Sequence, residues 1–153
     1  MIEDLRFKEQ SQKAYEYAMF LLGIRLRTEG ELREKMRSKK YEAGIIEQVL
    51  SQLKSNRYVD DKRFAEVFLD NLKKYKSWGF YGIKKKFMEK KLPADVIEHV
   101  LSEGLTEEEE LETAKKFFRK EKIVIKNQQD KQKAARKLAA KGFRSSIVSK
   151  IVF

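Results

Sequence analysis

The sequence contains no cysteine, one proline and one histidine among its 153 residues. Without cysteine the chain can form no disulfide, no thiolate metal site and no cysteine nucleophile, a usage typical of cytoplasmic proteins. The single histidine, His99, leaves little for a zinc site. The scarcity of proline, with seven glycines and 39% charged residues, favours helices over sheets or disorder. The composition therefore predicts an all-α protein, and 41% hydrophobic residues can build a buried core.

Long apolar segments and familiar catalytic patterns are missing as well. No stretch reaches the roughly 18 consecutive apolar residues of a membrane helix, and residues 1–6 lack the apolar stretch of a secretory signal. The sequence has no phosphate-binding glycine loop, no Ser-His-Asp set and no metal cluster. We therefore expect a cytoplasmic protein that is not an enzyme, binds no cofactor and no metal, and has no membrane partner.

Positive charge, by contrast, is in excess. Lys and Arg number 35 against 24 Asp and Glu, which gives a net charge of +11. Residues 73–91 contain eight lysines and one glutamate, and residues 131–144 contain six basic residues and no acid. A basic protein is expected to bind an acidic partner, and nucleic acid leads the candidates.

An internal repeat is the most informative feature. Seven apolar positions recur 51 residues later, and six of them recur once more. The first copy is Leu32, Met36, Tyr41, Ile45, Ile46, Val49 and Leu50, and the second is Ile83, Phe87, Leu92, Val96, Ile97, Val100 and Leu101. The third is Leu138, Phe143, Ile147, Val148, Ile151 and Val152. A shared apolar register of this kind is typical of stacked supersecondary units.

Each copy begins with a further apolar segment of helical spacing, so we predict nine helices in three bundles. The predicted divisions are an N-terminal extension over residues 1–10 and three-helix repeats over 11–57, 58–105 and 106–153. Because one three-helix unit is marginal alone, we expect the repeats to stack into an elongated array that can curve.

Helix start signals support these divisions. Thr28 with Glu31 and Thr106 with Glu109 have the spacing of a capping box, and Asp60 or Asp61 can cap the helix that follows. The four glutamates at 107–110 would then lie at a helix N-terminus, where the helix dipole favours negative charge. We expect no further role for that acidic run.

The second helices of the three repeats share a pair of lysines at spacing i, i+4. The pairs are Lys35 with Lys39, Lys86 with Lys90, and Lys137 with Lys141. Like charges at this spacing slightly destabilise a helix. Two interpretations stay open: solvated lysines whose stems cover the core edge, or ammonium groups that face phosphates or an acidic protein groove.

We predict that the contacts to a partner or nucleic acid come from the basic stretches, with Trp78 available to stack on a base. The predicted contact residues are Lys35, Lys39, Lys73, Lys74, Lys76, Trp78, Lys84, Lys85, Lys86, Lys90, Lys91, Arg136, Lys137 and Lys141. The third helices carry few basic side chains, and residues 94–104 contain three acids and no Lys or Arg. This distribution disfavours an ordinary helix-turn-helix reader of base edges.

Three ordered motifs resemble the RecX family. The run Tyr58-Val59-Asp60-Asp61-Lys62-Arg63-Phe64-Ala65 is similar to the central family motif, and residues 25–32 and 79–92 are similar to its flanking segments. We take Tyr58, Asp60, Asp61, Arg63, Phe64 and Ala65 as a structural motif, with Tyr58 and Phe64 anchoring a helix to the core. Lys91 departs from the family pattern, which has glycine before Leu92.

The resemblance implies a tandem three-helix-repeat protein that binds RecA in its DNA filament. Such a protein inhibits or modulates the ATPase, recombinase and strand-exchange activities of RecA, or promotes disassembly of the filament. Single- or double-stranded DNA, directly or within the filament, is the second implied partner, and we expect the protein to act as a monomer. Two rival functions stay open. One is general or architectural DNA binding through the basic helical surface, and the other is a protein adaptor whose basic surface is incidental.

Overall fold

The computed structural model describes the backbone of residues 2–153 and the side chains from Asp4 onward, and every regular element in that part of the chain is an α-helix. The helices are α1 (Ile2–Ile24), α2 (Glu29–Ser38), α3 (Ala43–Ser55), α4 (Asp61–Tyr75), α5 (Phe80–Glu89), α6 (Ala94–Gly104), α7 (Glu107–Lys120), α8 (Gln128–Ala140) and α9 (Ser145–Val152). The predicted all-α fold is confirmed. Of the predicted N-terminal extension, Met1 lies outside the described residues, and residues 2–10 belong to α1.

The chain divides into two compact units. The first comprises the described residues through Phe64 together with Lys90–Pro93, and the second comprises Ala65–Glu89 and Ala94–Phe153. Helices α1 to α3 therefore fall in the first unit and α5 to α9 in the second. This division does not test the three predicted repeat boundaries, which stay a prediction.

The apolar positions of the 51-residue repeat lie inward, as predicted. Side chains with less than 2% exposure occur in every copy, among them Leu32, Val49, Ile83, Phe87, Leu138 and Ile147. Only Tyr41, Val96, Val148 and Ile151 of the matched set are half-buried rather than buried. Burial at helical spacing supplies most of the hydrophobic stabilisation of each unit.

The two capping boxes are present. The Thr28 side chain accepts the N–H of Glu31, and the Glu31 carboxylate accepts the N–H of Thr28 in return. Thr106 and Glu109 make the same reciprocal pair at the start of α7. Burial raises the pKa of the Glu31 carboxyl, but the hydrogen bonds from Arg25 and from the Thr28 N–H outweigh burial, so the pKa lies below its ordinary value.

The repeat extends to the backbone at the helix ends. Lys40, Lys91 and Gly142, spaced 51 residues apart, all adopt left-handed φ angles of 66°, 60° and 81°. At the first and third of these positions the following N–H bonds back to the helix, from Tyr41 to Met36 and from Phe143 to Leu138. These are the bonds of a Schellman C-cap, which favours glycine. The RecX-like glycine position that Lys91 occupies is thus a left-handed position, and lysine is strained there.

A second contact also recurs after 51 residues. In the first unit, the Thr28 hydroxyl donates to the Lys90 carbonyl at 2.6 Å. In the second unit, the N–H of Gly79 donates to the Lys141 carbonyl at 2.9 Å. Each bond joins the N-terminus of a second helix to a turn 62 residues later in the chain. The interaction therefore joins one repeat to the next.

The two adjacent aspartates of the motif cap two different helices. Asp60 accepts the N–H of Arg63 at 3.1 Å and so caps α4, whose N-terminus it precedes. Asp61 accepts the N–H of Glu29, the first residue of α2, at 2.9 Å. Burial raises the pKa of the Asp61 carboxyl above its ordinary value, with Glu29 and Asp60 adding to the rise. The Asp61 carboxyl therefore joins the start of α4 to the start of α2.

One motif side chain lies elsewhere than expected. Tyr58 is 47% exposed, so it is not a core anchor. The N–H groups of Tyr58 and Val59 both bond to the Leu53 carbonyl, and this turn directs Val59 inward instead, where it is 4% exposed. Phe64 is half-buried and Ala65 is buried, whereas the Arg63 side chain is exposed.

Substituting Asp61 tests its role as a cap. We expect Asp61→Ala to lower the free energy of unfolding by about 1–2 kcal/mol, because the Glu29 N–H loses its acceptor. Asp61→Asn keeps an acceptor oxygen and should cost less than about 0.5 kcal/mol. Urea denaturation followed by circular dichroism measures both variants. An Asn variant as unstable as the Ala variant would show that the charge, rather than the cap, is what matters.

The raised pKa of Asp61 also predicts a pH dependence. Between the ordinary value of 3.8 and the higher folded value, the native state holds a proton that the unfolded chain has lost. The stabilising contribution of Asp61 is therefore lost as pH rises through this window. The stability of Asp61→Asn relative to the parent should rise over the same window in urea titrations. A constant difference across this pH range would contradict the raised pKa.

Candidate nucleic-acid interface

The second unit contains a groove of about 550 Å³, which we call the α5–α8 groove. Its walls come from α5, α7, α8 and the segment before α5. The lining residues are Trp78, Gly82, Lys85, Lys86, Glu89, Phe117, Glu121, Lys137, Ala140 and Lys141. Five of the residues predicted as contacts, Trp78, Lys85, Lys86, Lys137 and Lys141, thus meet in one place.

Close backbone approach forms the groove. The N–H of Tyr81, at the start of α5, donates to the Gly142 carbonyl at 2.8 Å, beside the bond from Gly79 to Lys141. A Cβ added at Gly82 would lie 2.5 Å from the Lys141 carbonyl oxygen, and one added at Gly142 would overlap the Gly82 backbone. Glycine at both positions lets α5 touch the turn after α8 through main chain alone. The lysines of the two helices therefore line a common groove.

A buried carboxylate holds the start of α5 in place. Glu110 is fully buried and accepts the N–H of Phe80, the first residue of α5, at 2.8 Å. The same carboxylate accepts the backbone N–H and the Nε–H of Arg144 at 3.1 and 2.6 Å. The Arg144 guanidinium lies 4.7 Å from the centre of the Phe80 ring. Such a buried ion pair is tolerated because hydrogen bonds satisfy both oxygens.

Glu110 corresponds to Asp61 of the first unit. The two residues stand 49 apart, the same step that separates Ala65 from Ala114 in the first helices of their repeats. Each accepts the first N–H of the second helix in the repeat before it. Because no role beyond the helix dipole was predicted for the glutamates at 107–110, Glu110 was missed. The 49-residue equivalence with Asp61 is the signal that could have found it.

Several of the predicted lysines place their ammonium groups over aromatic rings. The Lys86 ammonium lies 4.6 Å and that of Lys141 5.9 Å from the centre of the Trp78 ring. Lys141 also lies 5.8 Å from the ring of Phe117, a groove residue that was not predicted. In the first unit, Lys39 lies 5.3 Å from the Tyr17 ring. These cation–π contacts favour the interpretation in which lysine stems cover the core edge, while the groove ammonium groups stay within reach of an anion.

The other predicted contact residues lie outside the groove lining. The Lys73 ammonium donates to the Gly104 carbonyl at 2.7 Å and pairs with Glu109. The hydrogen bond from Lys73 lowers the pKa of the Glu109 carboxyl. Lys91 lies 3.6 Å from Glu34, and Lys90 is half-buried. The remaining predicted residues are exposed: Lys35, Lys39, Lys74, Lys76, Lys84 and Arg136.

The α5–α8 groove has the chemistry of a binding site. Four ammonium groups surround an apolar floor of Trp78 and Phe117, with Glu89 and Glu121 as the acids among its lining residues. Such a surface suits an anion that carries a flat apolar group. Among residues 4–153, no group of three or more His, Cys, Asp or Glu is placed to hold a metal ion. In the same described part of the chain, no helix is both long and apolar enough to span a membrane.

The comparisons with known sequences agree on one family. Residues 14–53 match the family model described as "RecX, first three-helix domain". The chain is 31% identical over 150 residues to the regulatory protein RecX of Halalkalibacterium halodurans, covering 96% of this chain and 56% of that protein. It is 30% identical over 155 residues to that of Lactococcus lactis subsp. cremoris, covering 97% of this chain and 57% of that protein. The chain thus spans little more than half the length of these relatives.

Solved structures share the fold. A crystal structure of RecX from Lactobacillus salivarius superposes with a TM-score of 0.83 at 23% identity, covering 95% of this chain and 96% of that one. A second crystal structure, of a regulatory protein RecX, gives a TM-score of 0.82 at 24% identity, covering 97% of this chain and 74% of that one. At identities of 23% and 24% the similarity shows the fold alone. That fold is an all-α helical repeat.

Substituting Glu110 tests whether its carboxylate positions the start of α5 in the groove. Glu110→Ala leaves Arg144 partly buried without its partner and removes the cap of α5. We therefore expect a loss of about 3–5 kcal/mol in urea unfolding. Glu107→Ala is the matched control, because Glu107 is exposed and pairs with exposed Lys150 at 3.6 Å. That change should cost less than about 0.5 kcal/mol. Equal losses in the two variants would mean that Glu110 does not position α5.

Proposed function

The chain belongs to the RecX family, and we propose that it binds a RecA–DNA filament and restrains the ATPase, recombinase and strand-exchange activities of RecA during DNA repair. In this proposal the protein acts in the cytoplasm as a monomer and performs no chemistry of its own. It binds the filament through basic side chains, some of which contact RecA and some DNA phosphates.

The observation that carries this proposal is the α5–α8 groove. A RecA–DNA filament presents a dense row of phosphates, and lysines on two facing helices can neutralise several of them at once. The groove lies in the stretches of highest positive charge, residues 73–91 and 131–144. Because the exposed lysines at 74, 76 and 84 belong to the first of these stretches, they can bind further phosphates beside the groove.

General DNA binding is the second candidate function. The same groove could serve it without RecA, since lysines with an aromatic floor are a common feature of nucleic-acid surfaces. Affinity for a RecA–DNA filament and for the same DNA without RecA, compared at equal salt, separates the candidates. Much tighter filament binding supports the proposal, and equal affinity supports general DNA binding. Binding that does not depend on salt would favour a protein adaptor.

Charge reversal in the groove tests where the filament binds. Lys85→Glu combined with Lys137→Glu changes one wall residue on each helix. Affinity for the filament should fall tenfold or more, about 1.4 kcal/mol. The salt dependence should become shallower by about one unit of slope for each phosphate that the variant no longer neutralises. Fluorescence anisotropy of labelled filament measures affinity, and titration of RecA ATPase measures inhibition.

The matched control is Lys62→Glu combined with Lys116→Glu, which has the same change in charge. Both residues are exposed and neither lines the groove. The control should retain filament binding within about twofold, and both double variants should keep their helicity, since surface changes cost little stability. A folded groove variant that inhibits RecA as well as the parent would place the binding surface elsewhere.

A further inference from the structure

We propose that the α5–α8 groove binds one nucleotide of a single-stranded nucleic acid, with the phosphate between lysines and the base on the aromatic floor. This inference deepens the proposed function and rests on it. It names which partner occupies the groove: the strand itself rather than a protein side chain or a duplex.

The shape of the groove favours a single strand. A volume of about 550 Å³ is within the range of small-ligand sites, which suits a nucleotide and is too small for a duplex. In a duplex the faces of the bases are stacked on one another and cannot reach the groove floor. In a single strand each base has a free face, and stacking on aromatic side chains is the usual way such strands are bound.

The charges favour a phosphate beside that base. Lys86 lies on α5 and Lys141 directly follows α8, yet both ammonium groups lie within 6 Å of the Trp78 ring centre, at 4.6 and 5.9 Å. Lys85 and Lys137 line the same groove. A phosphate at the edge of the ring can therefore accept hydrogen bonds from both helices at once.

Binding requires an exchange at Trp78. The Lys86 ammonium now faces the indole, so a base can take that position only when the ammonium moves aside. The lysine stem is flexible, and a phosphate offers its charge a stronger partner than a ring does. A base stacked on the indole replaces a cation–π contact that is weaker at an exposed site. The phosphate of the incoming nucleotide thus pairs with the Lys86 ammonium, and its base stacks on the Trp78 indole, so both groups regain a partner.

Glu89 is an internal competitor for the phosphate. Its carboxylate lies 3.3 Å from the Lys86 ammonium and lines the groove. An incoming phosphate must therefore displace a carboxylate from Lys86 or bind beside it. Removing that negative charge should strengthen binding, which is an effect that a purely structural role of the groove does not predict.

The sequence supplies its own probe, because Trp78 is the only tryptophan. We would titrate its emission with a short oligothymidylate in the absence of RecA, and with an equal length of duplex DNA and with polyglutamate. The oligothymidylate should quench the emission saturably and bind at least tenfold more tightly than duplex DNA or polyglutamate. Emission that does not respond, or a duplex or polyglutamate that binds equally well, would overturn the inference.

Substitutions test whether the oligothymidylate binds in the α5–α8 groove. Lys86→Gln combined with Lys141→Gln should weaken oligothymidylate binding at least tenfold, whereas Lys62→Gln combined with Lys116→Gln should leave it unchanged. Glu89→Gln should strengthen binding severalfold. Unaltered binding in the groove pair, or weaker binding in Glu89→Gln, would contradict the proposal. If the oligothymidylate leaves Trp78 emission unchanged while the protein still inhibits RecA, the inference fails and the proposed function stands.

Discussion

A carboxylate that caps a helix of the preceding repeat is the interaction on which the rest of the structure depends. Asp61 accepts the first N–H of α2, and Glu110 accepts the first N–H of α5. Both N–H groups belong to the leading residues of a helix, whose N–H groups have no partner within the helix itself. The acid on the next first helix supplies the missing acceptor. The same hydrogen bond therefore caps a helix of one repeat and joins that repeat to the next.

The function proposed for the groove follows from this arrangement. Glu110 fixes the start of α5, and the glycines at 79, 82 and 142 let α5 approach the turn after α8 through main chain. The lysines of the two helices then share one groove although they are more than fifty residues apart in sequence. A charge run along a single helix would leave its ammonium groups dispersed in solvent. Two runs held together produce a local positive field.

The sequence was sufficient for the features that depend on local pattern. The period of 51 residues, the inward apolar positions and both capping boxes could be predicted, because each rests on spacing along one helix or on identical spacing between helices. The partners of Asp61 and Glu110 could not be predicted, since they lie 32 and 30 residues away and depend on tertiary placement. Tyr58 was misplaced for a related reason: a turn directed Val59 inward, and composition cannot distinguish adjacent apolar residues.

The direction of these bonds has a consequence for synthesis. The cap of α2 comes from a residue 32 positions later, and the Thr28 hydroxyl finds its acceptor 62 positions later. A chain leaving the ribosome therefore exposes α2 before Asp61 and Lys90 have emerged, since folding during synthesis begins at the N-terminal end. The start of α2 therefore stays partly uncapped until the next repeat has emerged. We therefore expect the caps of α2 and α5 to be completed in that order, each only after the acid that supplies it has emerged.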